Sequence, residues 1–208
     1  MVQYGNIAII NYGIGNLGSL ANICKFFNIN FIVTSDPKEV LLSDILILPG
    51  VGSFNLAMKQ LNTLGLSDSL REAVLVKKKK ILGICLGFQM FAEESEEDGM
   101  TEGLGFLPKR VVGFRDTNPL SLKVPHVGFN DVTPPENSRL FKAINPKASF
   151  YFVHSYYMPY EGENSVSITD YGEKFISAYE AENVFGTQFH PEKSQTNGLQ
   201  LFENFLKI

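Results

Sequence analysis

Three short apolar runs, Ile7–Ile10, Ile45–Leu48 and Ile81–Ile84, each stop at a glycine, proline or polar residue and each lead into a helix-like segment. A strand with one wet face alternates apolar and polar residues, whereas a run without polar gaps reads as a strand buried on both faces. Such strands are parallel and are joined by crossover helices. The spacing of Leu17, Leu20, Ala21, Cys24 and Phe27 predicts a helix over Asn16–Phe27, and a second is predicted over Leu86–Glu94, directly after the third run. The first half therefore reads as a βαβ-type sheet, which binds ligands at the carboxyl ends of its strands.

From about Gly105 to Gln188 the texture changes to alternation with many aromatics, Pro and Gly, as in Lys147–Met158 and Ser165–Ala181. Shorter, partly antiparallel strands are expected there, extending the same sheet. A last amphipathic helix over Thr196–Leu206 would close the fold through Leu199, Phe202, Phe205 and Leu206. The expected architecture is α/β: a central, mostly parallel sheet flanked by helices with an antiparallel extension. With 208 residues, 44% of them hydrophobic, one domain over residues 1–208 is the economical organisation.

Composition excludes several classes. A net charge of -4, with Lys and Arg scattered apart from Lys77–Lys80, offers no basic surface for nucleic acid, and we read the lysine run as the solvated end of a helix. The N-terminal Met1–Ile10 lacks the pattern of a targeting peptide, and no apolar run approaches the roughly 20 residues that span a bilayer, so a cytoplasmic setting without a membrane is expected. Only two cysteines occur, Cys24 and Cys85, neither in a CxxC pair. That argues against a disulfide scaffold and a Cys-rich zinc site, and we expect neither metal nor cofactor.

Cys85 stands at the junction of a buried run and a helix, in Leu82-Gly83-Ile84-Cys85-Leu86-Gly87-Phe88-Gln89. A nucleophile that projects from a strand tip needs a sharp turn, and glycines at the flanking positions avoid collisions with the folded-back chain. The N-terminus of a following helix carries free N–H groups and partial positive charge, which favour a thiolate. With 18 glycines in 208 residues, such flanking around either cysteine should arise about 0.015 times by chance in a chain of this composition. Cys24, on the apolar face of its helix, reads as a core residue.

A reactive thiol needs a base and an orienting group. Phe185-Gly186-Thr187-Gln188-Phe189-His190-Pro191-Glu192 supplies both, with His190 at a strand end. Pro191 biases His190 toward an extended conformation, which allows the His190 and Glu192 side chains to share one side of the chain. Glu192 would then hold one ring nitrogen and leave the other for sulfur. Of the remaining histidines, His126 reads as a loop residue and His154 as a pocket wall. Another strand end, Ile47-Leu48-Pro49-Gly50-Val51-Gly52-Ser53-Phe54, carries two glycines where backbone N–H groups can approach a substrate carbonyl.

One competing signal is Gly13-Ile14-Gly15-Asn16-Leu17-Gly18, a G-x-G-x-x-G with Asp36 about 20 residues on, the fingerprint of a dinucleotide-binding oxidoreductase. It should occur by chance about 0.14 times, roughly ten times as often as the cysteine elbow, and it leaves Cys85, His190 and Glu192 unexplained. A catalytically silent binding module is argued against by the same three residues.

Taken together, NYGIGNLGSL, LPGVGSF, GICLGFQMFAEESEEDG, PHVGFN, YFVHSYY and GTQFHPEKSQ resemble the class I glutamine amidotransferases, with a flavodoxin-like fold, and within them the glutaminase subunits of imidazole glycerol phosphate synthase. The likeness covers nearly the whole chain. It implies that Cys85 attacks the side-chain amide of glutamine, that His190 protonates the departing ammonia, and that Glu192 completes the catalytic set. It further implies that Val51 and Leu86 donate backbone N–H groups to the oxyanion, and that Gly50, Gly52, Gln89, Glu97, His154, Ser155 and Tyr156 surround the substrate. A carboxylate such as Glu97 suits the substrate α-amine. The implied partner is a (β/α)₈ cyclase subunit in a heterodimer, taking up the ammonia, with Asn16 near the interface. Asn11 and Phe129 depart from the Asp and Trp common in that family. They mark an alternative, a paralogue feeding another synthase such as one that amidinates a surface sugar.

Overall fold

The computed structural model describes residues 5–114 and 122–208; Met1–Tyr4, part of the segment assessed for targeting, lie outside them. In chain order the elements are β1 (Ile7–Ile10), α1 (Leu17–Phe26), β2 (Phe31–Thr34), α2 (Pro37–Leu42), β3 (Ile45–Gly50), α3 (Phe54–Thr63), α4 (Leu66–Arg71), β4 (Lys80–Cys85) and α5 (Leu86–Gln89). There follow β5 (Glu94–Ser95), β6 (Thr101–Glu102), β7 (Arg110–Gly113), β8 (His126–Asp131), β9 (Ser149–His154), β10 (Tyr156–Tyr157), β11 (Val166–Asp170), β12 (Lys174–Ala181), β13 (Val184–Thr187) and α6 (Gln195–Lys207). A π-helical turn, Glu72–Val76, continues α4, and a 3₁₀ turn, Pro191–Lys193, precedes α6.

The seven-stranded main sheet has the order β11-β12-β13-β4-β3-β1-β2. Its pairs from β13 through β4, β3 and β1 to β2 are parallel, and β11 and β12 add antiparallel strands at one edge. The apolar runs are buried along their length. Successive residues serve opposite layers: Ala8, Ile10, Leu46 and Leu48 pack on the side of α3 and α4, whereas Ile7, Ile9, Ile45 and Ile47 pack with residues of α1 and α6. That two-sided burial is the physical content of the uninterrupted runs.

The second half does not simply extend the main sheet. β10, β7, β5 and β6 form a separate four-stranded sheet, and β8 and β9 a separate antiparallel pair. The helix expected over Leu86–Glu94 ends at Gln89, because the chain turns there to place Glu94 and Ser95 in the small sheet. His126 is a second correction: it is a buried residue that opens β8, directly opposite His154. The lysine run does not merely end a helix either, since Lys80 begins β4 and its ammonium donates to the Phe205 and Leu206 carbonyls. Among the described residues, no helix is long and apolar enough to cross a membrane.

Candidate active site

Two parallel pairings assemble the site at the carboxyl end of the sheet. Gly50, the last residue of β3, is the register partner of Cys85, the last of β4. On the other side, Thr187 of β13 pairs with Ile84, so the chain leaving β13 carries Gln188, Phe189 and His190 past the cysteine. Sequence-distant segments thus meet because neighbouring parallel strands end together.

Cys85 has φ 54° and ψ -111°, a conformation uncommon for a residue with a side chain. The surroundings hold it there. A Cβ on Gly83 would lie 2.7 Å from Phe91 Cζ and 2.8 Å from Phe88 Cα; one on Gly87 would lie 1.8 Å from the Leu48 carbonyl oxygen. Glycine at both positions is what lets β4 turn directly into α5. Since α5 has four residues, its dipole is too short to favour a thiolate as the sequence suggested, and any such preference comes from the groups around sulfur. Cys85 Sγ lies 3.8 Å from the Val153 carbonyl oxygen and 3.7 Å from Gln188 Nε2.

His190 has φ -98° and ψ 98°, the extended conformation expected before proline, and the 3₁₀ turn beginning at Pro191 swings Glu192 back beneath it. Glu192 Oε1 accepts from His190 Nδ1 at 2.7 Å, with each side chain 2% exposed. This fixes the tautomer, so Nε2 is left for the cysteine; it has no other hydrogen-bond partner among the described residues. Burial alone would lower the His190 pKa, but hydrogen bonds with Cys85 and Glu192 and their charges outweigh it and raise the value to about 10. The imidazolium is thereby favoured beside sulfur. Its backbone is also tied down: His190 N–H donates to the Tyr151 carbonyl, and the Ser194 hydroxyl donates to the His190 carbonyl at 2.6 Å.

A cavity of about 470 Å³ opens over Cys85 and is lined by Val51, Gly52, Cys85, Leu86, Gln89, Glu97, His154, Ser155, Tyr156 and His190, together with Pro125, Val153 and Lys193. Of the residues expected at the site, only Gly50 and Glu192 do not line it. Gly50 lies beneath, where a Cβ would meet Gly87 N and Leu86 Cβ at 2.8 Å, and Glu192 lies behind His190. A larger cavity of about 670 Å³ lies at the amino end of the sheet among Lys77–Lys80, Asp44 and Leu206–Ile208, without a cysteine or histidine. Chemistry rather than volume therefore decides which cavity is the candidate site.

Glu97 Oε2 accepts from the Phe54 N–H at 2.8 Å, at the start of α3. Burial is the main cause of its raised pKa, opposed by that hydrogen bond and assisted by nearby Asp98. His154 Nδ1 lies 2.9 Å from the Tyr156 carbonyl, an obligate acceptor, so Nδ1 carries the proton. His154 Nε2 must then accept from His126 Nδ1 at 3.0 Å, and His126 Nε2 accepts from Asn130 Nδ2 at 3.3 Å. Both rings are neutral in this chain. Burial lowers the His126 pKa to about 4; burial, with neighbouring His126 and His190 and against the Tyr156 hydrogen bond, lowers that of His154 to about 3.

Sequence reasoning missed Gln188, whose side chain lies under the site, and Tyr12, whose hydroxyl donates to the Pro49 carbonyl at 2.8 Å and so holds the strand end before Gly50. Only three-dimensional pairing reveals either. The dinucleotide reading fails on local grounds: a Cβ on Gly18 would meet nothing within 4 Å, so that glycine serves no close packing, and Asp36 caps α2 by accepting from Lys38 N–H. Among the described residues, no group of three or more His, Cys, Asp or Glu side chains is arranged to hold a metal ion.

Comparison with known proteins shows the family to which the chain belongs. Residues 9–208 match the family model for glutamine amidotransferase class-I. The imidazole glycerol phosphate synthase subunit HisH 1 of Campylobacter jejuni is 48% identical over 97% of this chain and 100% of its own length. Subunit HisH 2 of Pseudomonas aeruginosa is 41% identical over 97% and 99%. Among solved structures, a glutamine amidotransferase superposes with a TM-score of 0.71 at 20% identity, covering 96% of this chain and 97% of that one. Another, from Thermotoga maritima, gives 0.67 at 17% identity over 99% and 85%.

Proposed function

Given that the chain belongs to the class I glutamine amidotransferases, and within them to the HisH glutaminase subunits of imidazole glycerol phosphate synthase in histidine biosynthesis, we infer that Cys85, His190 and Glu192 carry its glutamine hydrolysis. The observation that supports this most is the pairing of His190 Nδ1 with Glu192, which leaves Nε2 for the elbow cysteine.

In this reading the Cys85 thiolate attacks the side-chain amide carbon of glutamine. The negative charge that develops on oxygen is met by the Val51 and Leu86 N–H groups; first-turn N–H groups such as Leu86's have no partner inside their own helix. His190, as imidazolium, gives its Nε2 proton to the departing nitrogen, ammonia leaves, and a glutamyl thioester remains. Water then attacks the thioester while neutral His190 takes its proton. Collapse releases glutamate and restores the thiolate and imidazolium. Glu192 holds the ring and stabilises its charge without itself taking the proton.

Gln89 donates through Nε2 to both the Tyr156 carbonyl and Gln188 Oε1, which leaves its own oxygen to face the substrate. Glu97 has one oxygen committed to α3 and the other available for the α-amine. Gly50, Gly52, His154, Ser155 and Tyr156 shape the rest. The whole chain acts as one amidotransferase domain, and its two free thiols fit a reducing, cytoplasmic setting. Its partner is a (β/α)₈ cyclase subunit, to which ammonia passes within a heterodimer. The test is release of glutamate and ammonia from glutamine: Cys85→Ala should abolish both while leaving the fold intact, and retained turnover would refute the assignment.

A further inference from the structure

The polar network behind the nucleophile has a fixed direction. The Tyr156 carbonyl can only accept, so the Gln89 group 2.7 Å from it is its NH₂, and that same nitrogen lies 3.0 Å from Gln188. The atom Gln188 presents there must be its oxygen. Its nitrogen is therefore the atom 3.7 Å from Cys85 Sγ. Gln188 is fully buried, and its backbone N–H is anchored on the Ser177 carbonyl at 2.9 Å, so the amide has little freedom to turn over.

We propose that Gln188 is a further catalytic residue of the glutaminase site: its side-chain N–H donates to the Cys85 sulfur and stabilises the thiolate, with Gln89 acting as the positioning residue that sets its orientation. The proposal rests on Cys85 being the nucleophile. Sulfur then sits between an acceptor and a donor. The Val153 carbonyl, 3.8 Å away, can accept only from the protonated thiol, whereas Gln188 and protonated His190 can donate to the thiolate. A hydrogen bond to the charged form favours that form. The arrangement gives the thiolate a donor besides His190, both before it attacks the amide and when it departs from the acyl group.

The test measures the rate of iodoacetamide alkylation at Cys85 against pH, by peptide mass spectrometry, in the full chain and in Gln188→Glu and Gln188→Met. The first variant replaces the donor by an acceptor in nearly the same shape, and the second removes the polar group. Both should move the midpoint up by about one pH unit, a roughly tenfold slower reaction below the midpoint. An unchanged midpoint in folded variants overturns the proposal. Should the variants not fold, the wild-type chain still decides: the ¹⁵N-labelled Gln188 side-chain amide should titrate with the Cys85 midpoint and lose that transition in Cys85→Ser. An amide that does not respond to Cys85 overturns the proposal. Label on Cys24 instead of Cys85, or turnover surviving in Cys85→Ala, would instead defeat the underlying assignment.

Discussion

Gly87 lies so close to Leu48 that a Cβ built on it would stand 1.8 Å from the Leu48 carbonyl oxygen. This contact docks the turn after Cys85 on the end of β3, where Gly50 is the register partner of Cys85. The obstacle is backbone, which cannot rotate aside as a long side chain would. Gly87→Ala should therefore lower stability by about 1–3 kcal/mol or more and remove glutaminase activity. Gly18 is the control, inside α1 with nothing within 4 Å of its Cβ position. Gly18→Ala should be neutral or stabilise by up to roughly 1 kcal/mol. Urea titrations of both variants provide the comparison; equal responses would contradict the packing argument.

Replacing His190 should cost more than replacing Glu192, since in the proposed mechanism one moves protons and the other orients it. His190→Asn should lower kcat by about 10² to 10⁴, the usual range for general acid–base action. Glu192→Ala should lower it by a smaller factor. The His190 pKa, held up mainly against the opposing effect of burial by Cys85 and Glu192, should fall in that variant. An alkaline-limb shift in the pH–rate profile of Glu192→Ala reports this, and equal, negligible losses from both changes would count against the assignment.

Acid should destabilise the protein through the neutral histidine pair. His126 and His154 have folded-state pKa values lowered to about 4 and about 3, against about 6.5 in the unfolded chain. The unfolded state binds protons first as pH falls, so stability is lost from about pH 6.5 downward through the two folded values. His190 has the opposite sign, but its window runs upward from about 6.5 to about 10 and does not overlap. Thermal melts between pH 7.5 and 4.5 should show a falling Tm, with a shallower slope in His126→Asn. Parallel slopes would show that the pair does not contribute.

Much of this was legible in the chain before folding. The uninterrupted runs at Ile7, Ile45 and Ile81 marked the parallel strands because two-sided burial forbids polar gaps, and the glycines around Cys85 marked the elbow because only a tight turn demands them. His190 and Glu192 were legible as a pair because they are neighbours in sequence. The role of Gln188 was not, since it depends on β13 pairing with β4 and on a donor–acceptor direction set by Tyr156, 32 positions away. His126 misled for a related reason: beside Pro125 it looks like a loop residue, and only its register opposite His154 buries it. The short sheet of β5, β6, β7 and β10 escaped because strands of two to four residues carry no period.

The proposed coupling to a cyclase predicts low glutamine turnover by the isolated chain, rising when the partner binds its acceptor nucleotide. Ammonia released into water at neutral pH is mostly protonated and no longer nucleophilic, so unregulated hydrolysis would be wasteful. Turnover by the purified chain against the reconstituted pair, with and without acceptor, measures the coupling. Full activity in the isolated chain, insensitive to partner or acceptor, would point to a stand-alone amidase.

The central assignment is most directly tested by the mass of the intact chain after reaction with a glutamine-like electrophile. Cys85 borders the cavity over the site, whereas Cys24 is fully buried on α1, with its thiol pKa pushed up by burial to about 11. The account predicts one added mass increment, located on the peptide that contains Cys85, with loss of glutaminase activity in step with labelling. A label on Cys24, or full labelling of Cys85 with activity retained, would contradict it.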